Sequence, residues 1–299
     1  MRVYSLVSES TKPCAVALGN FDGVHLGHRA VVEAVIGRTG LPTVLTFDPH
    51  PREFFGKETG FLLTPGSEKL ELIAESGISQ VVVAPFGREL AATEAQDFMI
   101  QFLSQGLQAQ FISVGWNFRF GKGRLGTTEM LQTFAREKGF DIEILAERRL
   151  SDARVSSSAI RVALSEGNLP LAHQLLGRPY SLGGEVIPGD QRGRQLGFPT
   201  ANLRIDPRKF LPANGVYLVK VGEPDAWGLM NIGMRPTFDG LERRVEVHLL
   251  NFEGDLYGKS LRVSLQKFLR PERKFAVFEE LIAQIRQDKA EALAWIAAL

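Results

Sequence analysis

This sequence of 299 residues has very little cysteine and almost no net charge. Cys14 is the single cysteine, and 35 lysines and arginines nearly balance 34 aspartates and glutamates, which leaves a formal charge of +1. A lone cysteine excludes an internal disulfide framework and a zinc site built from cysteines. A chain so near neutrality is a poor candidate for a protein held on nucleic acid mainly by phosphate contacts. We therefore expect no nucleic-acid partner.

Long apolar runs are missing as well. No stretch approaches the roughly 18 residues that a membrane span needs, and no apolar run follows Arg2 as it would in a secretory signal. We therefore expect no membrane partner and a cytoplasmic location. Hydrophobic residues still make up 44 % of the chain, which is enough for a sizeable core, and the length favours two domains.

Apolar segments alternate with amphipathic helical patterns through the first half of the sequence. The segments that predict buried strands are 14–18, 43–47, 81–86, 111–114 and 141–145, and the helical patterns are 28–38, 67–76, 93–107 and 127–138. This alternation is typical of βαβ units and predicts a parallel sheet. Ligands of such sheets bind at the carboxyl ends of the strands, so we expect a site in the loops after Leu18, Phe47 and Val114.

The pattern changes near Gly177. Short strands broken by glycine and proline are predicted at 183–187, 215–221, 228–232, 245–252 and 260–265, and an amphipathic helix closes the chain at 275–299. These elements predict a small antiparallel β-barrel followed by a C-terminal helix. We expect two domains, at residues 1–177 and 178–299, with helices at 157–166 and 169–176 between the sheet and the barrel.

Two of the five histidines, His25 and His28, lie in one turn between a predicted strand and a predicted helix. Gly27 removes a side chain between them, so a ligand can approach the backbone. The free N–H groups at a helix N-terminus suit a phosphate, and two imidazoles there can donate to phosphate oxygens. A zinc site is the alternative. Its candidate ligands are His25, His28, His50, Asp22 and Asp48.

A second glycine-bearing turn, at 121–126, matches the pattern G-x-G-x-x-G. A dinucleotide site needs these glycines directly at the end of a strand in the first βαβ unit, whereas residues 116–120 intervene here. The match therefore gives little support to NAD(P) binding. The sequence contains no P-loop pattern.

A third glycine-spaced segment, residues 189–202, also suits phosphates, because glycine lets backbone N–H groups cup an anion. Its glycines include Gly189, Gly193 and Gly197. Thr200 and Asn202 are two residues apart, so in an extended chain their oxygens face the same side. That arrangement can hold a Mg²⁺ ion bound to nucleotide phosphates. The alternative is a long surface loop whose glycines only supply turns.

Several of these segments resemble, in order, the motifs of the prokaryotic bifunctional riboflavin kinase/FAD synthetases. In the first half they are 19–28, which ends in His25-Leu26-Gly27-His28, then 47–51, 114–121 and 156–161. In the second half they are 189–202, with its Pro199-Thr200-Ala201-Asn202 core, and 246–250. The resemblance implies an α/β, Rossmann-like nucleotidyltransferase domain with a parallel sheet, followed by a riboflavin kinase barrel.

For the first domain the resemblance implies adenylyl transfer, in which an FMN phosphate oxygen attacks the α-phosphorus of ATP and pyrophosphate leaves. His25 and His28 would stabilise the charge that builds on the triphosphate. The implied ATP-binding residues are Gly19, Asn20, Phe21, Asp22, Gly27, Ser157 and Arg161. The implied flavin-binding residues are His50, Phe55 (or its neighbour Phe54), Asn117 and Phe120.

For the second domain the resemblance implies transfer of the γ-phosphoryl group of ATP to the ribityl 5′-hydroxyl of riboflavin. Glu246 would accept the proton of that hydroxyl, and Arg270 would contact the flavin. The implied ATP-binding residues are Gly189, Gly193, Gly197, Thr200 and Asn202. Thr200 and Asn202 would also hold the Mg²⁺ ion.

The resemblance thus implies one chain that makes FMN and then FAD, with riboflavin, FMN, FAD and ATP as partners and Mg²⁺ as cofactor. The sequence leaves a homo-oligomer open but does not indicate one. Two rival hypotheses are a nucleotidyl enzyme similar to class I aminoacyl-tRNA synthetases and a non-catalytic flavin-binding regulator. The short chain and near-zero charge argue against the first, and intact His25, His28 and Glu246 argue against the second.

Overall fold

The computed structural model describes residues 1–56, 59–150, 153–188, 200–237, 240–252 and 254–299, without the side chains of 235–237, 240 and 241. These residues form two compact units. Met1–Ser157 is called the N-terminal unit, and Ser158–Leu299 is called the barrel unit. No helix in the described ranges combines the length and the apolar character needed to cross a membrane.

Six parallel strands make up the sheet of the N-terminal unit. They are β1 (Arg2–Tyr4), β2 (Cys14–Leu18), β3 (Leu41–Asp48), β4 (Gln80–Pro85), β5 (Ala109–Gly115) and β6 (Asp141–Leu145). Their order is β1-β4-β3-β2-β5-β6, and every neighbouring pair is parallel, so the predicted parallel sheet is confirmed. The sequence does not predict β1, because this three-residue edge strand has no apolar run and its Val3 is half exposed.

Six helices and a short hairpin accompany the sheet. They are α1 (Leu26–Glu33), α2 (Pro51–Gly56), α3 (Ser67–Ala74), α4 (Arg88–Ala92), α5 (Ala95–Phe98), α6 (Thr128–Lys138), β7 (Arg149–Leu150) and β8 (Ala153–Arg154). The next helix, α7 (Ser157–Ser165), belongs to the barrel unit apart from its first residue. The segment 93–107, predicted to be helical, contains α5, which passes into a π-helix at Met99–Gly106. Periodicity alone does not separate these two helix types.

Strand β2 is wholly apolar because both of its faces are buried. Successive side chains of a strand point to opposite faces of the sheet. Cys14, Val16 and Leu18 belong to one buried cluster together with residues of α5, the π-helix and α6. Ala15 and Ala17 belong to a second cluster with residues of α1 and α3. The sheet is therefore buried on both faces, and only the ends of its strands are left for a site.

Six antiparallel strands close the barrel. They are β9 (Ser181–Ile187), β10 (Ala201–Ile205), β11 (Gly215–Val221), β12 (Ala226–Thr237), β13 (Gly240–Leu249) and β14 (Ser260–Pro271), in the order β10-β13-β12-β11-β14-β9. Helix α8 (Leu169–Leu176) precedes the barrel and α9 (Phe278–Ala297) follows it. The predicted barrel with a C-terminal helix is confirmed. Strand β10 is absent from the prediction, because Asn202 and Arg204 interrupt its apolar residues.

The buried thiol of Cys14 provides a test of the packing of β2. Burial raises the pKa of this thiol above its ordinary value, because desolvation disfavours the thiolate. Since the thiolate is the reactive form, we expect Cys14 to resist the thiol reagent DTNB in the folded protein at about pH 8. In urea it should titrate as one thiol per chain, followed by absorbance. Rapid reaction of the folded protein would show that β2 is not packed as described.

Candidate active sites

The turn between β2 and α1 brings the two predicted histidines into contact. Nδ1 of His25 accepts a hydrogen bond from the backbone N–H of His28, at an N···N distance of 3.1 Å, so His25 caps the N-terminus of α1. The two imidazole rings stack, with centroids 3.6 Å apart and planes inclined by 16°. A Cβ atom at Gly27 would lie 3.2 Å from Cε1 of His25, so glycine leaves room for the stack.

The same turn has an unusual backbone. Phe21 and Val24 have φ angles of 52° and 39°, in the left-handed region that residues other than glycine rarely adopt. Such a conformation costs roughly 1–2 kcal/mol per residue. It persists only where the surroundings determine it, as they often do at functional sites. Both side chains are 1 % exposed, so their burial contributes to holding the turn in this form.

Hydrogen bonds from two distant segments also hold this turn. Oδ1 of the buried Asp22 accepts hydrogen bonds from the backbone N–H groups of Leu63 (2.8 Å) and Thr64 (3.1 Å). The carbonyl oxygen of Asp22 accepts a hydrogen bond from Oγ of Ser157 at 2.8 Å. The structure thus brings together two of the residues predicted to bind ATP. A third, Arg161, lies on α7 in the barrel unit.

An open cavity of about 530 Å³ lies beside this turn, and Asn20 and Phe47 are in its lining. Two residues predicted to bind flavin, Phe55 and Phe120, also line it. Phe120 is 6 % exposed, whereas Phe55 is 68 % exposed. Cavities of this size and largely apolar lining are typical of small-molecule sites.

The other two predicted flavin residues lie elsewhere. His50 lines a smaller neighbouring pocket of about 10 Å³, together with Asn20, Asp22 and Lys69. Asn117 is exposed in the turn that follows β5 and does not line the large cavity. The structure therefore separates the four predicted residues into two that line the cavity and two that do not.

The cavity also contains residues that sequence reasoning missed. They are the aromatic residues Phe86, Phe98 and Phe118 and the cationic residues Arg52 and Arg119. Arg124, in the turn at 121–126, also lines the cavity. Phe86 directly follows β4, and the loop after β4 was not among those expected to carry a site. The rule that ligands meet the carboxyl ends of parallel strands applies to that strand as well, so the signal was available.

The glycine-bearing turn at 121–126 forms part of the cavity wall. Gly121 has a φ of 69°, and a Cβ atom there would lie 2.7 Å from Cα of Ala95. Gly121 and Gly123 both line the cavity. Gly121 therefore allows a close approach to α5, which gives this glycine a role in packing. Within the described ranges, no group of three or more His, Cys, Asp or Glu side chains is arranged to hold a metal ion, so the zinc alternative gains no support.

In the barrel unit, strand register places three polar residues in a row. Glu246 on β13 is directly opposite Asn202 on β10 and directly opposite Asn231 on β12. Directly opposed residues have Cβ atoms about 4.5–5.5 Å apart and lie on the same face. Val245 and Val247 are buried, whereas Glu246 is half-buried, because successive side chains of a strand point to opposite faces. Asn231 was not predicted as a site residue.

One end of this row has a buried acceptor. Asn202 is 7 % exposed, and its Oδ1 atom has no hydrogen-bond donor among the described residues. Buried polar atoms are nearly always paired, so such an atom suits a ligand or metal ion. Thr200 directly precedes β10. The predicted phosphate-binding glycines Gly189, Gly193 and Gly197 lie outside the described residues.

Arg270, predicted to contact a flavin, forms a buried ion pair with the C-terminal helix. Its Nε and Nη2 atoms lie 2.9 Å and 2.8 Å from the two carboxylate oxygens of Asp288 on α9. The two side chains are only 14 % and 6 % exposed. Gln284 donates a further hydrogen bond to Asp288 at 2.9 Å. This geometry ties α9 to β14.

Comparison with known proteins gives a match for each half of the chain. The family model for FAD synthetase matches residues 7–159, and the model for riboflavin kinase matches residues 176–296. A protein of Escherichia coli (strain K12), named bifunctional riboflavin kinase/FMN adenylyltransferase, is 42 % identical over 97 % of this chain and 95 % of its own length. This chain belongs to the bifunctional riboflavin kinase/FMN adenylyltransferase family.

Other members of this family and one solved structure extend the likeness. The Bacillus subtilis (strain 168) enzyme of the same name is 37 % identical over 99 % of this chain and 96 % of its own. A crystal structure from Streptococcus pneumoniae covers 98 % of both chains with a TM-score of 0.87 and 28 % identity. It bears the name macrolide-efflux protein, which describes that protein, and its likeness to this chain is one of fold.

The Arg270–Asp288 pair leads to a prediction about stability. Replacing Asp288 by Ala leaves the Arg270 guanidinium nearly buried and without its carboxylate. We expect the free energy of unfolding of the barrel unit to fall by about 3 kcal/mol. Trp227 and Trp295 pack with ring centroids 6.0 Å apart where α9 meets the barrel, so their fluorescence during urea denaturation reports the change.

Glu291→Ala is the matched control on the same helix. Glu291 pairs with Lys267 at 2.8 Å, but both side chains are exposed to solvent (48 % and 35 %). Removing an exposed pair costs about 1 kcal/mol or less. Equal losses in the two variants would contradict the role given to the buried pair.

Proposed function

We propose that this chain carries out two successive reactions. The barrel unit would transfer the γ-phosphoryl group of ATP to riboflavin, which gives FMN and ADP. The N-terminal unit would transfer the adenylyl group of ATP to FMN, which gives FAD and pyrophosphate. The observation that carries the proposal is that the two family models match successive segments that together span most of the chain. Because both reactions consume ATP, we propose a cytoplasmic location.

The proposed domains follow the functions, at residues 1–177 and 178–299. The riboflavin kinase match starts at 176, and α8 ends at Leu176 before Gly177, whose φ of 74° is typical of a helix C-terminus. The compact units and the FAD synthetase match divide the chain earlier, at 157 and 159. Residues 158–177 therefore belong to the barrel unit by packing, although we assign Arg161 to the adenylyltransferase.

For adenylyl transfer, we assign the triphosphate of ATP to the N-terminus of α1. His25 and His28 would donate hydrogen bonds to phosphate oxygens and so stabilise the charge that develops as pyrophosphate leaves. The stack of the two rings supports a joint role, because it fixes one imidazole relative to the other. Gly19, Asn20, Phe21, Asp22, Gly27, Ser157 and Arg161 would form the rest of the ATP site.

The FMN ring system fits the 530 Å³ cavity in size and chemistry. Phe55 and Phe120 would pack on the isoalloxazine ring, since aromatic rings favour stacked or edge-on contacts with one another. Arg52, Arg119 and Arg124 give the lining a positive charge that suits the FMN phosphate. His50 and Asn117 would contact the flavin only at its edges, because neither lines the cavity.

For the kinase, we assign Glu246 as the base that takes the proton from the ribityl 5′-hydroxyl as the phosphoryl group is transferred. Asn202 and Asn231 flank it on the neighbouring strands and would fix its position. Gly189, Gly193 and Gly197 are assigned to ATP. Arg270 is assigned to the flavin, with its guanidinium held in place by Asp288 of α9.

We propose Mg²⁺ as the metal that accompanies ATP. In the barrel unit the side-chain oxygens of Thr200 and Asn202 would hold it, and the buried Oδ1 atom of Asn202 fits this role because oxygen is the ligand that Mg²⁺ prefers. When bound, the ion would neutralise phosphate charge during transfer. Riboflavin, FMN, FAD and ATP are the proposed partners, and a homo-oligomer is left open.

Replacing His28 by Ala tests the adenylyltransferase. We expect FAD formation from FMN and ATP to slow about 100-fold or more, because a donor to the developing charge is lost. FMN formation from riboflavin by the same protein should not change. Chromatography of the flavin products measures both rates. Parallel loss of the two activities would contradict separate sites.

Replacing Glu246 by Gln tests the kinase with a side chain of the same shape. We expect FMN formation to slow about 100-fold or more, because the amide cannot accept the hydroxyl proton. Conversion of added FMN to FAD serves as the internal control and should be unaffected. Wild-type turnover of riboflavin in this variant would remove Glu246 from the role of base.

A further inference from the structure

Lys69 is a buried lysine that the assignments above do not use. It lies on α3 and is 9 % exposed. Lysine is almost never fully buried unless its charge is compensated, because removing an ammonium group from water is costly. We therefore expect the buried ammonium group of Lys69 to have a specific structural or functional role.

The contacts of the Lys69 ammonium group join two strand ends. Nζ lies 3.2 Å from Oγ1 of Thr46, 3.4 Å from the carbonyl oxygen of Phe47 and 3.5 Å from the carbonyl oxygen of Asn20. Thr46 and Phe47 belong to the end of β3, and Asn20 lies just beyond β2. An ammonium group has three donors and can serve three acceptors at once.

The Asn20 carbonyl oxygen has a second donor. Oγ1 of Thr46 hydrogen-bonds to it at 3.1 Å, so Lys69 and Thr46 converge on one atom. Asn20 directly precedes Phe21, whose φ of 52° requires support from its surroundings. Lys69 therefore contacts the backbone at the point where the unusual turn begins.

The two joined segments carry both substrate sites of the proposed adenylyltransferase. The segment after β2 leads to His25 and His28, and Asn20 and Phe47 both line the cavity assigned to FMN. A small shift between these segments would move the phosphate of FMN relative to that of ATP. Misplacement by about 1 Å can slow a reaction about 100-fold.

We propose that Lys69 is a positioning residue for adenylyl transfer, because its buried ammonium group holds the ends of β2 and β3 in the relative position that the reaction needs. This inference rests on the proposed function. It assigns Lys69 no contact with a reacting atom, and it predicts that the effect passes through the Asn20 carbonyl oxygen.

The test compares Lys69→Met with the wild type in single-turnover reactions, with the full-length enzyme in excess over FMN and saturating ATP and Mg²⁺. Methionine keeps the length and apolar stem but removes the ammonium group. We expect the first-order rate constant of FAD formation to fall about 10- to 100-fold. A misfolded fraction leaves this rate constant unchanged as long as the folded enzyme stays in saturating excess over FMN, which a twofold change in enzyme concentration checks. A merely structural role therefore leaves the constant unchanged.

Two further variants sharpen the test. Thr46→Val removes the other donor to the Asn20 carbonyl oxygen, so Lys69→Met and Thr46→Val should be coupled and the double variant should be little slower than the slower single variant. Lys138→Met, at the exposed end of α6, is the control and should match the wild type. The riboflavin kinase rate of each protein should stay within about twofold of the wild type.

The outcomes separate this inference from the proposed function. If the wild type forms no FAD, the proposed adenylyltransferase itself fails. If the wild type forms FAD and Lys69→Met has the same rate constant, the role of Lys69 is overturned. Fully additive effects of Lys69→Met and Thr46→Val would also overturn it, because the two side chains would then act independently.

Discussion

The turn after β2 is held from several directions, and the proposed adenylyltransferase site depends on that restraint. A parallel sheet buried on both faces leaves only strand ends for chemistry, and here the chain leaves β2 through a backbone that is intrinsically unfavourable at Phe21 and Val24. Asp22 binds the segment at 63–64, and Thr46 and Lys69 bind the Asn20 carbonyl oxygen. In the structure that has these contacts, the two histidine rings stack at the start of α1.

The barrel positions its residues by a different principle. Glu246 lies between Asn202 and Asn231 because the register of β10, β13 and β12 fixes all three. The backbone hydrogen bonds between these strands fix the positions of the three residues, so their arrangement does not depend on the conformation of a loop. The pair Arg270–Asp288 then attaches α9 to the end of the same barrel. One chain thus combines a site held by side-chain contacts to a turn with a site held by strand pairing.

The sequence predicted the parts of this structure that follow from periodic burial. Apolar runs identified the inner strands, because a strand that contacts the core on both faces is apolar throughout. The short strands β1 and β10 gave no such signal. Long-range contacts could not be predicted from the sequence either. A charged residue on a helix, such as Lys69 on α3, is expected to lie in solvent. The carboxylate partner of Arg270 lies 18 residues away on another element, so no local pattern pairs the two.

The most direct test of the account follows the phosphorus atoms of ATP through the wild-type protein. Riboflavin would be incubated with Mg²⁺ and ATP labelled either at the γ- or at the α-phosphorus, and the flavins would be separated and counted. The account predicts that FMN carries only γ-label, and that FAD carries one phosphorus from the γ-position and one from the α-position. Label from the α-phosphorus in FMN, or FMN that accumulates without any FAD, would contradict two distinct ATP-using sites in this chain.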